Sequence, residues 1–220
     1  MSQFSAVNLM QEAGADPGKW NTIPSPDVVS RTERAIEARG IRVIKARGRD
    51  DALAKVKEII PPGAEIMTGS STTLIEIGLE DFIRSGKAGW KSLHTAITSE
   101  NDDQKRAELR RKSVTADYFI SGANAIAQTG EIVSCDASGS RVGAWPFAAG
   151  HLVLVVGINK IVPDVGTAMK RIQEYTFLLE NARAMRAYGT PSAFGKWVIL
   201  AQEKIPGRIT VVLVEEALGY

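Results

Sequence analysis

Apolar positions along this chain alternate between two spacings, about 3.6 residues in some stretches and unbroken short runs in others. Over residues 26–39, Val28, Val29, Ile36 and the alanines recur at helical spacing, and Gly40 closes the run. A short strand is predicted over 41–44. Asp50 or Asp51 is placed to cap a helix through residue 60, which Pro61-Pro62-Gly63 stops. Residues 64–67 read as a second strand that runs directly into Gly69-Ser70-Ser71-Thr72-Thr73, after which the apolar spacing predicts one helix to about residue 84. A strand is expected within 87–98, a helix over 100–112, a strand over 117–121, and a turn with a strand pair over 123–134. Residues 135–150 read as a Gly/Ser loop. The run Leu152-Val153-Leu154-Val155-Val156 is the signature of a strand covered on both faces. Pro163 is expected in the first turn of a helix whose apolar positions extend to residue 187, as one bent helix or two. Residues 197–200 and 209–214 read as closing strands. Residues 1–25, polar and rich in Gly and Pro, read as an irregular lead-in to a single domain over 26–220.

Strands alternating with helices predict an α/β fold with a mostly parallel central sheet and helices on both faces. Such a sheet places its ligand outside the carboxyl ends of the strands. Composition agrees with a globular domain: 44% hydrophobic and 24% charged residues argue against disorder. The 27 Lys and Arg exceed the 25 Asp and Glu by only two, which does not suit a nucleic-acid binder. The densest basic run, 105–112, lacks interleaved aromatics and reads as a solvated helix face rather than a phosphate-binding one. A single cysteine, Cys135, excludes an internal disulfide and an iron–sulfur cluster held within one chain, and no other cofactor or metal is expected. No basic start followed by an apolar stretch opens the chain, and no apolar run reaches membrane-spanning length. The expectation is a cytoplasmic protein.

The turn Gly69 to Thr73 follows a strand and opens a helix, so its backbone N–H groups and hydroxyls could cradle phosphate or carboxylate oxygens. The same residues also suit a plain helix N-cap. It is neither a Walker loop nor a dinucleotide fingerprint. The segment Gly122 to Glu131 brings Asn124, Gln128, Thr129, Gly130 and Glu131 to the end of another strand, either as donors with an acid/base group or as a tight hairpin with an exposed Glu. Ser140 and Arg141 lie in the Gly/Ser loop, and Lys160 follows the buried strand. With the hydroxyl turn these cations form an anion site; singly, each is an ordinary surface charge. His94 and His151 are in no metal-spaced pair, and Cys135 reads as an ordinary thiol.

The stretches GANAIAQTGEIVSCDASGSRVGAWPF, LVLVVGINKIVPDVGTAMKRI and GRITVVLVEEALGY, with GSSTTLIEIGL and ELRRKSVTADYFISGANAI, resemble the LUD-domain (lactate-utilisation) family over residues 27–220. The resemblance implies a fold like ribose-5-phosphate isomerase and the CoA transferases. It also implies one pocket lined by Gly69–Thr73, Gly122–Glu131, Asp136–Arg141 and Lys160, and a bacterial role in lactate oxidation. Two departures stand out. The cysteine-rich stretch of many similar proteins is replaced by GTPSAFGKWVIL, and Gln128 stands where a Glu is common, which disfavours acyl-carboxylate chemistry. Three functions remain open. One is a protein binding a small anion such as a carboxylate, phosphate or CoA-like molecule. Another is an enzyme on a sugar phosphate, acyl-CoA or folate-like acid, with Glu131 or Asp136 as base and Lys160 as electrophile. The third is a non-catalytic assembly subunit. A homodimer is compatible with each.

Overall fold

The apolar run at 152–156 lies in the middle of a parallel sheet because both of its faces are covered, so every side chain in it can be apolar. A computed structural model describes residues 6–220. Its strands are β1 (Arg42–Ala46), β2 (Glu65–Thr68), β3 (Lys91–Ser92), β4 (Tyr118–Ser121), β5 (Ala125–Ala127), β6 (Ile132–Asp136), β7 (His151–Gly157), β8 (Ile161–Val162), β9 (Lys196–Leu200) and β10 (Ile209–Val214). Its helices are α1 (Ala6–Ala13), α2 (Pro17–Trp20), α3 (Pro26–Glu37), α4 (Arg49–Ile59), α5 (Thr72–Glu76), α6 (Leu79–Arg84), α7 (Leu93–Ser99), α8 (Asp103–Lys112), α9 (Ser140–Gly143), α10 (Val165–Arg171) and α11 (Phe177–Tyr188).

Six strands form an all-parallel sheet in the order β1-β10-β7-β4-β2-β3. Alternate residues of each strand point to opposite faces. Leu152, Leu154 and Val156 of β7 join Ile209, Val211 and Leu213 of β10 in one core, against Ile36 of α3 and Ile97 of α7. Val153, Val155, Val212 and Val214 face the other way onto Ala52 and Val56 of α4 and Leu74 and Leu79 of α5 and α6. A second sheet, β8-β5-β6-β9, lies over the first face: Ile126 and Ile132 pack toward the parallel sheet. Ala125 and Val133 pack outward against Ala168 of α10.

Several local expectations are corrected. The predicted irregular lead-in contains two helices in its described part, because Ala6 and Leu9 share a face with Ala13 that packs with Trp20 on Tyr175 and Leu179. The helix predicted after residue 73 is split by Gly78, whose φ of 77° starts a new helix at Leu79. Only two residues within 87–98 are a strand; Ser92 then caps α7 by accepting from the Thr95 N–H. The expected loop at 135–150 holds α9 and a wide helical turn, Ala144–Ala148. Pro163 stands before the helix, whose cap is Asp164. The bent-helix alternative holds for 165–188: α10 and α11 join through a π-type turn at Ile172–Thr176.

Gly157 ends the central strand where the chain has no room for a side chain. Its φ is ordinary (−70°), but a Cβ there would lie 2.4 Å from Asn159 Oδ1 and 2.7 Å from both Glu216 O and Leu218 N. Gly157→Ala is therefore expected to destabilise the protein by about 1–3 kcal/mol, the usual cost of overpacking. Urea denaturation checks this, and an unchanged midpoint would contradict the packing described.

Candidate functional site

The loops that leave adjacent parallel strands meet in one place. Gly69–Thr73 follows β2, Gly122–Asn124 follows β4, Lys160 follows β7 and Gly219 follows β10. Gly69 N–H still donates to Ile120 O (3.1 Å), so the turn begins in register with the sheet. The Ser71 hydroxyl accepts from the Leu74 N–H at 3.4 Å, which makes it the N-cap of α5. Gly122 is required beside it, since a Cβ there would lie 2.7 Å from Ser71 Oγ. Lys160 Nζ donates to Thr73 Oγ1 (2.9 Å) and Ala123 O (3.2 Å). Gly219 passes so close that a Cβ would lie 2.3 Å from Thr73 Oγ1 and 3.1 Å from Lys160 Nζ.

These loops form the floor of a cavity of about 610 Å³. His94, Ile97 and Thr98 of α7 and Arg106 and Arg110 of α8 contribute further lining, as do Ser138, Ser140 and Arg141 and, from α11 and the segment after it, Phe177, Arg183, Tyr188 and Phe194. Cations outnumber carboxylates in this lining: Arg106, Arg110, Arg141, Arg183 and Lys160 against Asp136 and Glu180. Arg183 is neutralised by a two-point pair with Glu180 (2.8 and 2.7 Å), which also accepts from the Tyr220 hydroxyl (2.8 Å). Arg106 pairs with Asp103 on its own helix. Arg141 stands 4.0 Å from Asp136 and donates to Cys135 O (3.3 Å). Arg110 is exposed and takes part in no ion pair found among the described residues.

Behind the lining, Arg171 is fully buried and donates only to neutral oxygens, Trp20 O, Asn124 O and Thr176 Oγ1. Its Nη2 has no partner. Burial lowers its pKa to about 10, which leaves it charged at neutral pH. Burial and then the Arg171 charge, against a partial offset by Glu76 and with a smaller push from Arg141, lower the pKa of Lys160 to about 7. Arg171, and Lys160 when it carries its proton, are buried cations without a touching carboxylate, a cost that an anion in the cavity would offset.

Of the residues singled out in the sequence, Gly69, Ser70, Ser71, Thr72, Thr73, Asn124, Asp136, Ser140, Arg141 and Lys160 are brought together at the cavity. Within that turn the cap reading holds for Ser71, and Thr73 is committed to Lys160, while Ser70 is exposed. Gln128, Thr129, Gly130 and Glu131 are not among the lining; they form the tip of the β5–β6 hairpin and pack on α3. Arg39 bonds Thr129 O (2.8 Å) and pairs with Glu131. Partial burial would raise the Glu131 carboxyl, but the Thr129 hydroxyl, its own N–H and Arg39 hold it below the ordinary value. Glu131 is thus in an ion pair with Arg39, outside the lining of this cavity.

Asp136 is at the cavity but spent: its carboxylate accepts from the N–H groups of Gly139, Arg141 (3.0 Å) and Val142 (3.1 Å), bracing the loop that presents Arg141. Asn124 Oδ1 is likewise taken by Ser134 Oγ (2.7 Å) and Cys135 N (2.9 Å). Burial and then Asp136 raise the Cys135 thiol, so it stays protonated. Sequence reasoning missed Arg106, Arg110, Arg171 and Arg183. The four-residue spacing of Arg106 and Arg110, which puts both on one helix face, was the readable signal. Among the described residues no group of His, Cys, Asp or Glu is placed to hold a metal ion, and no helix is long and apolar enough to cross a membrane.

The Lys160 shift has a stability consequence. Between pH 7 and about 10.5 the unfolded chain holds a proton on this amine that the fold does not, so its contribution to stability rises with pH across that window and is least favourable below 7. Urea denaturation at pH 6.5, 8 and 9.5 is expected to show the native protein gaining on Lys160→Met by up to about 1.4 kcal/mol per pH unit. A difference that stays flat with pH would contradict the placement of this amine.

A DUF162 family protein from Deinococcus radiodurans shares the fold, with a TM-score of 0.52 at 12% identity, over 88% of this chain and 99% of that one. The eIF2B beta subunit from Chaetomium thermophilum matches more weakly, with a TM-score of 0.33 at 17% identity over 54% of this chain and 44% of that one. That likeness is too low to bear on fold or function. No curated protein sequence matches the chain. The model of the LUD domain matches residues 29–214, and the chain belongs to the LUD-domain family, the lactate-utilisation family that its motifs resemble.

Proposed function

We propose that this protein binds a small organic anion, a carboxylate or phosphate ester, in the metabolism of lactate or a related acid. The observation that carries this reading is the unbalanced positive charge at the strand carboxyl ends: Lys160 and Arg171 are buried without a touching carboxylate, and Arg110 and Arg141 face the same cavity. In a site of lowered dielectric these cations attract an anion far more strongly than they would in water. An anion beside Lys160 would also favour its protonated form, so binding should take up a proton near neutral pH.

Catalysis has thinner support. Glu131 is absent from the cavity lining and Asp136 is held by backbone donors, so neither carboxylate is free to act as a base; Lys160, pushed down to about 7, can exchange a proton near neutral pH, and His94 also lines the cavity. The proposal is therefore a binding protein first.

A thermal-shift series with L-lactate, ribose 5-phosphate, coenzyme A, a reduced folate and inorganic pyrophosphate tests it. A ligand at 100 times its dissociation constant adds about 2.7 kcal/mol. At least one anion is expected to raise the midpoint by several degrees, with the shift largely lost in Arg141→Ala and kept in Glu131→Gln. If every anion leaves the midpoint unmoved, or if Arg141→Ala shifts as much as the native protein, the reading fails.

A further inference from the structure

The cavity is larger and more divided than a small hydroxy acid requires. At about 610 Å³ it lies within the roughly 300–1,000 Å³ typical of sites for drug-sized ligands. Its charge and its aromatic surface come from different elements. Arg106 and Arg110 stand one turn apart on α8, with about 5–6 Å between Cβ atoms at that spacing. Arg110 is in no ion pair found among the described residues, while Arg106 is already held by Asp103 and by Glu100 O (3.1 Å); together the two guanidinium groups still offer donors to two neighbouring phosphates. Arg141 adds a third cation from the loop after β6.

The aromatic surface lies on α11 and the segment after it. Phe194 stacks on Phe177 with ring centres 4.0 Å apart and planes 27° off parallel, and Trp197 continues the stack at 6.1 Å and 10°. Phe194 nevertheless remains 42% exposed and Tyr188 63% exposed, and both line the cavity. Phe177 and Trp197 lie along Phe194, and the Arg183 guanidinium lies 5.4 Å over the Tyr188 ring, so another planar ring would meet the exposed edges of Phe194 and Tyr188.

Building on the anion-binding reading above, we propose that the ligand is of the nucleotide class: a planar heteroaromatic ring that packs against the exposed edges of Phe194 and Tyr188, carried on a diphosphate held by Arg110 and Arg141 beside Arg106. The ring supplies apolar contact and the phosphates neutralise the cationic end. A ligand with only one of the two parts leaves the other surface exposed, so each half alone binds more weakly.

Isothermal titration with adenosine diphosphate, inorganic pyrophosphate and adenosine tests this on the full chain. Adenosine diphosphate is expected to bind at least about tenfold more tightly than either half. Phe194→Leu is expected to weaken it about tenfold, the effect of losing one edge-on aromatic contact, while leaving pyrophosphate unchanged. Arg110→Ala is expected to weaken both phosphate compounds. Phe194 and Arg110 are exposed, so both variants should fold; Tyr188→Leu gives an independent check on the ring. If pyrophosphate binds as tightly as adenosine diphosphate, or if neither aromatic substitution changes the nucleotide's affinity, the nucleotide assignment is overturned while anion binding stands. If both phosphate compounds fail but lactate binds, the result is the same. If none of these anions binds, both readings fall.

Discussion

The Lys160 amine is the point at which the parallel sheet and the cavity become one object. It rises from the turn after β7, bonds the hydroxyl of Thr73 after β2 and the carbonyl of Ala123 after β4, and lies against Gly219 after β10. A group that touches the loops of four strands needs those loops in register, and that register comes from a sheet buried on both faces. The amine has no carboxylate in contact. Burying it is tolerable only because it loses its proton easily, at about pH 7, or because an anion arrives.

Around that point the polar side chains divide into braces and free groups. Asp136, Asn124 and Ser71 spend their oxygens on backbone N–H groups of their own or neighbouring loops. They fix the positions of Arg141, the β6 end and α5 instead of acting on a ligand. Arg110, Arg141 and the unpaired Nη2 of Arg171 carry charge that no braced carboxylate fully meets. The cavity therefore has more cations than free carboxylates, and the proposal that it holds an anion rests on that excess.

Much of the fold was legible because its cause is local. Residues 152–156 and 209–214 are apolar at every position, which only a doubly covered strand explains, and the step from strand to Gly69–Thr73 placed that turn at a carboxyl end. Lys160 and Arg141 followed from the same geometry. Glu131 did not, because a short hairpin gives no local sign of which end faces the crevice; its tip turns toward α3, where Arg39 waits. Arg106 and Arg110 looked like solvent because α8 buries none of its residues, so no apolar stripe orients the helix. The N-terminal helix was hidden by its brevity: much of the core that Ala6 and Leu9 join comes from Tyr175, Leu179 and Tyr220, far along the chain. The aromatic stack of Phe177, Phe194 and Trp197 likewise joins residues whose proximity depends on the β6–β9 pairing.

The most direct measurement is a crystal structure of the protein grown with pyrophosphate or a nucleotide at saturating concentration. Electron density for the anion is expected in the cavity among Arg110, Arg141 and Lys160, with an oxygen within hydrogen-bond distance of the Arg141 guanidinium. An anion bound elsewhere, with this cavity holding only water, would contradict the assignment of the strand carboxyl ends as the binding site.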